Sequence, residues 1–216
     1  MTNTRTLLCA AILAATSAAA YAGDTFTNPV IRRSAPDPTV IRADDGHFYL
    51  YSTEDTPNTP IYRSDNLVDW TLIGTAFSDT SRPSWNPKGG IWAPDINKIG
   101  DKYVLYYSKS EWMGLKDAGV GVATADRPEG PFTDHGCIVS YHNTGVWCSI
   151  DPFFIEDEGR KYLIWGSYWD TFGIELTDDG LSVKPGAEKV HIASNFMEGS
   201  YVFKRGRYYY LFGSNG

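Results

Sequence analysis

Apolar and aromatic residues occur along this chain in short runs that end at Gly, Asp or Asn. Four stretches share one layout, in which an acidic residue precedes an apolar run, a glycine turn and an aromatic-rich run that ends near a serine. They are DPTVIRADDGHFYLYS from Asp37, DINKIGDKYVLYYS from Asp95, DPFFIEDEGRKYLIWGS from Asp151 and EGSYVFKRGRYYYLFGS from Glu198. Short runs of this composition joined through glycine are typical of β-hairpins, so each stretch predicts two antiparallel strands.

The four stretches recur at spacings of roughly 50 residues, the range of propeller blades. Further strand-like segments follow the hairpins, for example IYRSDN and WTLIG, or VGVATA before the turn DRPEGPF. No long stretch with a helical period occurs after the N-terminal segment. About four strands per repeat predict an all-β fold, a β-propeller.

The acidic residue that begins each repeat has two interpretations. In a propeller the first strand of each blade lines the central channel, so Asp37, Asp95, Asp151 and Glu198 would converge at one end of it. Alternatively, an Asp before Pro often starts a turn and bonds only to nearby backbone N–H groups. Four acids in the same register of four repeats favour the shared site.

The N-terminal segment has the composition of a secretory signal. Arg5 precedes an apolar stretch from Leu7 to Ala15, and small residues end at Ala22, which predicts a cleavable signal over residues 1–22 and one propeller domain over residues 23–216. No other segment approaches the roughly 18 apolar residues of a membrane helix. We therefore expect a secreted or periplasmic protein without a membrane span.

The net charge argues against one class of binding partner, and the cysteine content leaves one disulfide open. The chain has a formal net charge of −7, which argues against nucleic acid as a partner because phosphate binding needs clustered Lys and Arg. Cys9 lies in the signal segment, so Cys137 and Cys148 remain, and export would permit a disulfide between them. The sequence does not decide whether they pair.

Grouped acids either bind a metal or perform acid and base chemistry. No EF-hand spacing, HExxH, GxSxG elbow, Walker loop or dinucleotide-binding pattern is present. Glycoside hydrolysis, by contrast, needs little beyond two carboxyl groups, one protonated and one ionised, and a third acid nearby can help keep the first protonated.

Aromatic residues offer the walls of a sugar site. They make up 14% of the chain, with 7 Trp and 14 Tyr, and flat rings with polar edges suit the apolar faces of sugars. Most of them should pack within and between blades. The candidates for substrate contact, which lie near the predicted strand heads or just after a second strand, are Trp92, Asp95, Ser167, Tyr168 and Trp169.

These residues carry a resemblance to glycoside hydrolase family 43. The matching acidic motifs are APDPTVI around Asp37, SIDPFFI around Asp151 and MEGSYVF around Glu198. Other similar segments are SDNLVDW at 64–70, WAPDI at 92–96, PEGPF at 128–132 and WGSYWDTFGIEL at 165–176. The resemblance covers essentially all of residues 23–216.

The resemblance implies a five-bladed propeller of which about four blades are present, so the domain would be incomplete at its C-terminal end. It also implies an inverting mechanism with Asp37 as general base, Glu198 as general acid and Asp151 as the residue that orients that acid and keeps it protonated. No cofactor is required by this mechanism. The family's structural calcium remains open, because its usual His ligand would lie in the missing blade.

The resemblance is strongest to enzymes that cleave α-L-arabinosyl linkages in plant polysaccharide such as arabinan or arabinoxylan. β-Xylosidases and galactosidases of the same family share much of the pattern, and subsite loops decide between them. A non-catalytic sugar-binding propeller is an alternative, although a lectin needs no matched acid and base. A sialidase-type propeller is less favoured, because no set of Arg residues lies near the strand heads.

Overall fold

The computed structural model describes residues 25–194 and 197–215, so the predicted signal segment lies outside the described residues. The described strands all belong to the unit of residues 33–216. The strands of the N-terminal half are β1 Thr39–Arg42, β2 Phe48–Tyr51, β3 Pro60–Ser64, β4 Trp70–Thr75, β5 Gly90–Ile99, β6 Lys102–Ser110, β7 Gly119–Ala125 and β8 Thr133–Ser140. A short helix, α1 Tyr141–Thr144, precedes β9 Phe153–Asp157, β10 Arg160–Trp165, β11 Asp170–Glu175, β12 Val190–Ser194, β13 Glu198–Arg205 and β14 Tyr208–Ser214.

The strands form four antiparallel sheets in chain order. Three have four strands each, in the orders β1-β2-β3-β4, β5-β6-β7-β8 and β9-β10-β11-β12, and β13 pairs with β14 in the fourth. The first strands of neighbouring sheets contact one another, β1 with β5, β5 with β9 and β9 with β13. This is the arrangement of blades around a propeller axis. The prediction of an all-β propeller with about four blades is confirmed.

Two apolar cores lie between adjacent sheets, and the alternation along β6 explains both. Tyr103, Leu105 and Tyr107 belong to the core shared with the first sheet. Val104 and Tyr106 belong to the core shared with the third sheet. Since successive side chains of a strand point to opposite faces, a central strand buried on both faces must be apolar throughout. The continuous run YVLYY is therefore a requirement of stacked blades.

The acidic residues that begin the repeats lie at the start of the innermost strands, with one difference from the prediction. Asp37 and Asp151 each lie two residues before β1 and β9, and Glu198 is the first residue of β13. Asp95 does not head its strand, because β5 already begins at Gly90. A bulge between Trp92 and Asp95 lets the ladder with β6 continue on both sides of it.

The structure also bears on the possible disulfide and on the expected lack of a membrane span. Cys137 and Cys148 are both free thiols, so the disulfide that the sequence left open does not form. Across the described ranges, no helix has the length and apolar composition that a membrane crossing requires.

Candidate active site

The acids of the four repeats line one cavity. This carboxylate cavity has a volume of about 880 Å³, and its wall includes Asp37, Asp95, Asp151 and Glu198. Each of the four sheets thus contributes one acid to the cavity, from its innermost strand or from the segment just before that strand. The predicted convergence of these acids is observed.

Asp37 is held by a turn and by one hydroxyl. Its φ of +49° is a left-handed conformation that Asp and Asn adopt more readily than other side chains. Thr53 Oγ1 donates a hydrogen bond to Asp37 Oδ2 over 2.5 Å and accepts one from the Ala93 N–H over 2.7 Å. The backbone of the second sheet therefore fixes an acid of the first through Thr53.

Asp151 repeats this design in the third sheet. Its φ is +59°, its N–H donates to Ser108 Oγ over 2.9 Å, and its Oδ2 accepts the Gly199 N–H over 3.0 Å. Burial raises the pKa of Asp151, and the charges of Asp37 and Glu198 act in the same direction, against the Gly199 hydrogen bond. The carboxyl groups of Asp37 and Glu198 therefore lie close enough to Asp151 for their charges to raise its pKa.

Glu198 lies close enough to Tyr168 and Cys148 for its charge to affect the pKa values of both residues. Its charge is the main cause that raises the pKa of the Tyr168 hydroxyl. Burial raises the pKa of the Cys148 thiol to about 11, and the charges of Asp151 and Glu198 contribute. Gly199, with a φ of +60°, turns its N–H towards Asp151. The Asp151 carboxylate thus accepts a hydrogen bond from Gly199, the residue that follows Glu198.

Asp95 differs from the other acids in its surroundings. It is 9% exposed, and its Oδ2 accepts hydrogen bonds from the Phe154 N–H over 2.6 Å and from Asn97 Nδ2 over 2.9 Å. Burial raises the pKa of Asp95 to about 7. Its carboxyl group therefore links β5 to β9 as well as lining the cavity.

A serine ends each aromatic run, and of these four serines the sequence analysis singled out only Ser167 as a site candidate. Ser108 accepts the Asp151 N–H, and Ser214 Oγ donates to the Glu198 carbonyl over 3.3 Å. Ser167, whose Oγ is buried, lies beside Asp151. Thr53 directly follows the serine of the first repeat. These positions form a polar ring around the acids.

The structure places the candidates for substrate contact in two different cavities. Trp92, Ser167 and Tyr168 line the carboxylate cavity, as Asp95 does. Trp169 lies instead in a second cavity of about 440 Å³, here called the tryptophan cleft, which is lined by Leu115, Val146, Trp147, Trp169, Asp170 and Phe172. The chain reverses direction after Tyr168, whose φ is +66°, so neighbouring residues face different cavities.

The structural calcium that the family resemblance implies would need metal-ligating side chains. Within residues 25–194 and 197–215, no three His, Cys, Asp or Glu side chains are grouped as a metal site would require. This finding does not bear on an ion held by a ligand outside the described residues, so the structural calcium stays an expectation from the family resemblance.

A propeller whose blades bring several carboxyl groups into one cavity has the layout of a glycoside hydrolase. Residues 26–216 match the family described as Glycosyl hydrolases family 43, and the chain belongs to this family. A curated relative, probable arabinan endo-1,5-alpha-L-arabinosidase A of Aspergillus flavus, is 34% identical over 189 residues, which are 83% of this chain and 57% of the relative.

Solved structures agree with the sequence relatives. The Cellvibrio cellulosa alpha-L-arabinanase superposes with a TM-score of 0.74 and 28% identity, over 83% of this chain and 64% of that one. An exo-1,5-alpha-L-arabinanase from a bovine ruminal metagenomic library superposes with a TM-score of 0.70 and 29% identity, over 87% of this chain and 66% of that one. The chain therefore spans between half and two thirds of the length of the relatives it matches.

Proposed function

We propose that the protein containing this chain is a glycoside hydrolase that cleaves α-L-arabinosyl linkages in arabinan. The observation that carries the proposal is the convergence of Asp37, Asp151 and Glu198 on one cavity. The reaction needs one carboxylic acid and one carboxylate at opposite sides of a glycosidic bond. Relatives named for arabinan cleavage support this substrate over xylosides and galactosides.

In this proposal the three acids take the roles that the family resemblance implies, and the hydrogen bonds around them support those roles. We assign Asp37 as the general base on the family resemblance, and the Thr53 hydroxyl hydrogen bond fixes the direction of its carboxyl group. Glu198 is the general acid, which protonates the leaving oxygen. Asp151 holds the backbone after Glu198 through the Gly199 N–H and places a negative charge beside the acid.

In this mechanism the base acts through a water molecule. Asp37 removes a proton from the water as it attacks the anomeric carbon, and Glu198 gives its proton to the departing sugar oxygen. The product therefore has the inverted anomeric configuration. Room for the water requires carboxyl groups about 6.5 to 9.5 Å apart, whereas a retaining pair is about 5 to 5.5 Å apart.

Substitution of Glu198 tests the assignment of the acid. In the full-length protein, Glu198→Gln should lower kcat on linear arabinan by about 10³-fold, because proton donation by a side chain is worth about 10² to 10⁴. Activity on an aryl arabinofuranoside with a good leaving group should fall much less, since its departure needs little proton donation. Exposed Glu188→Gln is the matched control. Equal losses on both substrates would contradict the role of Glu198.

Product stereochemistry tests the assignment of the base. Proton NMR of the first sugar released should show the anomer opposite to that of the substrate. An initial product with the substrate's own configuration would rule out Asp37 as a base acting through water. A protein that binds arabinan but releases no sugar from any substrate would favour the non-catalytic sugar-binding alternative.

Secretion belongs to the same proposal. A polysaccharide substrate lies outside the cell membrane, and the apolar segment of residues 7–15 in the N-terminal region has the composition of an export signal. We expect the protein in the culture medium or periplasm, cleaved after Ala22. N-terminal sequencing of the exported protein checks the cleavage site.

A further inference from the structure

The tryptophan cleft adjoins the carboxylate cavity through a shared wall. Leu115 lines both cavities. Cys148 and Tyr168 face the carboxylate cavity, whereas their chain neighbours Trp147 and Trp169 face the cleft. The Cys148 N–H donates to the Leu115 carbonyl over 2.9 Å. A polymer that leaves the carboxylate cavity over Leu115 would reach the two indole rings directly.

The two rings of the cleft are available to a ligand and held in place. Trp147 and Trp169 are each 44% exposed. Tyr141 packs against Trp147 edge to face with centroids 5.2 Å apart, and Lys116 Nζ lies 4.8 Å from the Trp147 centroid. Tyr168 lies 6.0 Å from Trp169. Rings fixed by their neighbours lose little freedom on binding, which favours stacking with a flat apolar ligand face.

Asp170 is the polar side chain that lines the cleft, and two neighbouring side chains hold it. Asp170 Oδ1 accepts a hydrogen bond from Ser194 Oγ over 2.8 Å and lies 2.9 Å from His191 Nε2. The Ser194 and His191 hydrogen bonds lower the pKa of Asp170, so the cleft presents a carboxylate. A volume of about 440 Å³ with apolar rings and one fixed carboxylate has the composition of a ligand site. A carboxylate accepts hydrogen bonds from hydroxyl groups and repels anions.

We propose that the tryptophan cleft binds further sugar residues of the same neutral arabinan chain that is cut in the carboxylate cavity. Trp147 and Trp169 stack on the apolar faces of the furanose rings, and Asp170 accepts hydrogen bonds from their hydroxyl groups. The inference rests on the proposed function. Its consequence is a preference for long chains, because a short oligosaccharide held at the acids does not extend past Leu115.

Chain-length dependence and binding together test the cleft in the full-length protein. Trp147→Ala and Trp169→Ala should each lower kcat/KM on linear arabinan about tenfold relative to kcat/KM on arabinotriose, the loss expected for one aromatic contact. Calorimetry on the same variants in a Glu198→Gln background should show a Kd for arabinan raised by a similar factor. Trp169→Phe, which keeps a flat ring, should restore most of the loss.

Trp70 on the outer strand β4 provides the matched control, since it lies outside both cavities, and Trp70→Ala should change neither the ratio nor the Kd. The proposal is overturned if both cleft variants retain the parent's Kd and length preference while arabinan is still hydrolysed. Hydrolysis absent from every substrate, with arabinan binding still weakened by the cleft variants, contradicts only the hydrolase function. Absence of both binding and hydrolysis of arabinan overturns both proposals. Occupation of the cleft by a second copy of the chain overturns the cleft proposal alone.

Discussion

At the scale of single residues, hydrogen bonds to hydroxyl side chains hold Asp37 and Asp151 in position. Asp37 and Asp151 both adopt a left-handed backbone conformation before proline, and each is fixed by a hydroxyl group from elsewhere in the chain. Residues in sparsely populated conformations concentrate at functional sites, where the surrounding structure holds them. The hydroxyl partners are therefore part of the proposed catalytic machinery, although they do not touch the reacting bond.

Thr53 allows this to be tested. Thr53→Val keeps the shape of the side chain but removes the donor to Asp37 and the acceptor for the Ala93 N–H. We expect kcat on arabinan to fall about tenfold or more, with little change in KM, because a hydrogen bond to a charged group is worth about 1.5 to 3 kcal/mol. Thr53→Ser should keep most of the activity. Equal kcat values for the Val and Ser variants would show that Thr53 does not position the base.

At the scale of elements, hydrogen bonds between neighbouring blades matter as much as the ladders within them. Asp95 of β5 accepts the N–H of Phe154 in β9, and Tyr106 Oη donates to the Gly180 carbonyl in the third repeat over 2.8 Å. Backbone groups at blade boundaries would otherwise be buried without partners. These links keep the innermost strands in register, and with them the acids.

Asp95 gives a pH-dependent prediction at this scale. The pKa of Asp95 is about 7 in the folded state and ordinarily about 3.9 in an unfolded chain. The folded state thus binds the proton more tightly, so the free energy of unfolding should fall as pH rises from about 4 to about 7, by up to about 4 kcal/mol. Asp95→Asn, which keeps an acceptor for Phe154, should remove this dependence.

Urea denaturation at pH 4.5 and pH 7.5 checks the prediction. The parent protein should lose more stability between these values than the Asp95→Asn variant does. Asp101→Asn, at an exposed turn between β5 and β6, should behave as the parent. The same pH dependence in the Asn variant as in the parent would assign it to another group.

Gly166 gives a second prediction for an element boundary. It follows β10 with a φ of +112°, and a Cβ there would lie 2.3 Å from the Asp170 carbonyl oxygen. Gly166→Ala must shift the segment that carries Ser167 and Tyr168, so it should lower both stability and arabinan hydrolysis. Gly159→Ala, in the β9–β10 turn with a φ of +76° and no atom within 4 Å of the added Cβ, isolates the conformational cost of about 1 kcal/mol. Equal denaturation midpoints for the two variants would contradict the steric argument.

At the scale of the whole molecule, one sheet has an uncovered aromatic face. Residues directly opposite in an antiparallel pair share a face, and the register of β13 with β14 places five aromatic side chains together, each about half exposed. They are Tyr201, Phe203, Tyr208, Tyr210 and Phe212. An exposed apolar patch of this kind marks a surface that associates with another surface.

Residues 23–216 expressed by themselves should therefore bind a hydrophobic dye such as anilinonaphthalene sulfonate. Replacing Phe203 and Tyr210 by Thr should lower the dye fluorescence at least about twofold, because this pair lies at the centre of the face. Val190→Thr with Ile192→Thr, exposed on β12, is the control pair and should have a smaller effect. Equal reductions by the two pairs would show that the aromatic face is not the dye site.

The sequence by itself determined the repeats, their strands and the acids that begin them. Short apolar runs and glycine turns are local properties, so the acids that begin the repeats could be located without any contact being known. The resemblance to family 43 then singled out Asp37, Asp151 and Glu198 among them. Cys137 and Cys148 had to be left open for the opposite reason, because pairing depends on a distance that spacing along the chain does not fix.

Only the tertiary structure decided which partners each residue has. Thr53 meets Ala93, and Asp151 meets both Ser108 and Gly199, across separations of about 40 to 50 residues. Such contacts depend on how neighbouring blades stack, which no local pattern encodes. For the same reason Asp95 is a buried link between blades, and Trp169 faces a cleft separate from that of its neighbour Tyr168.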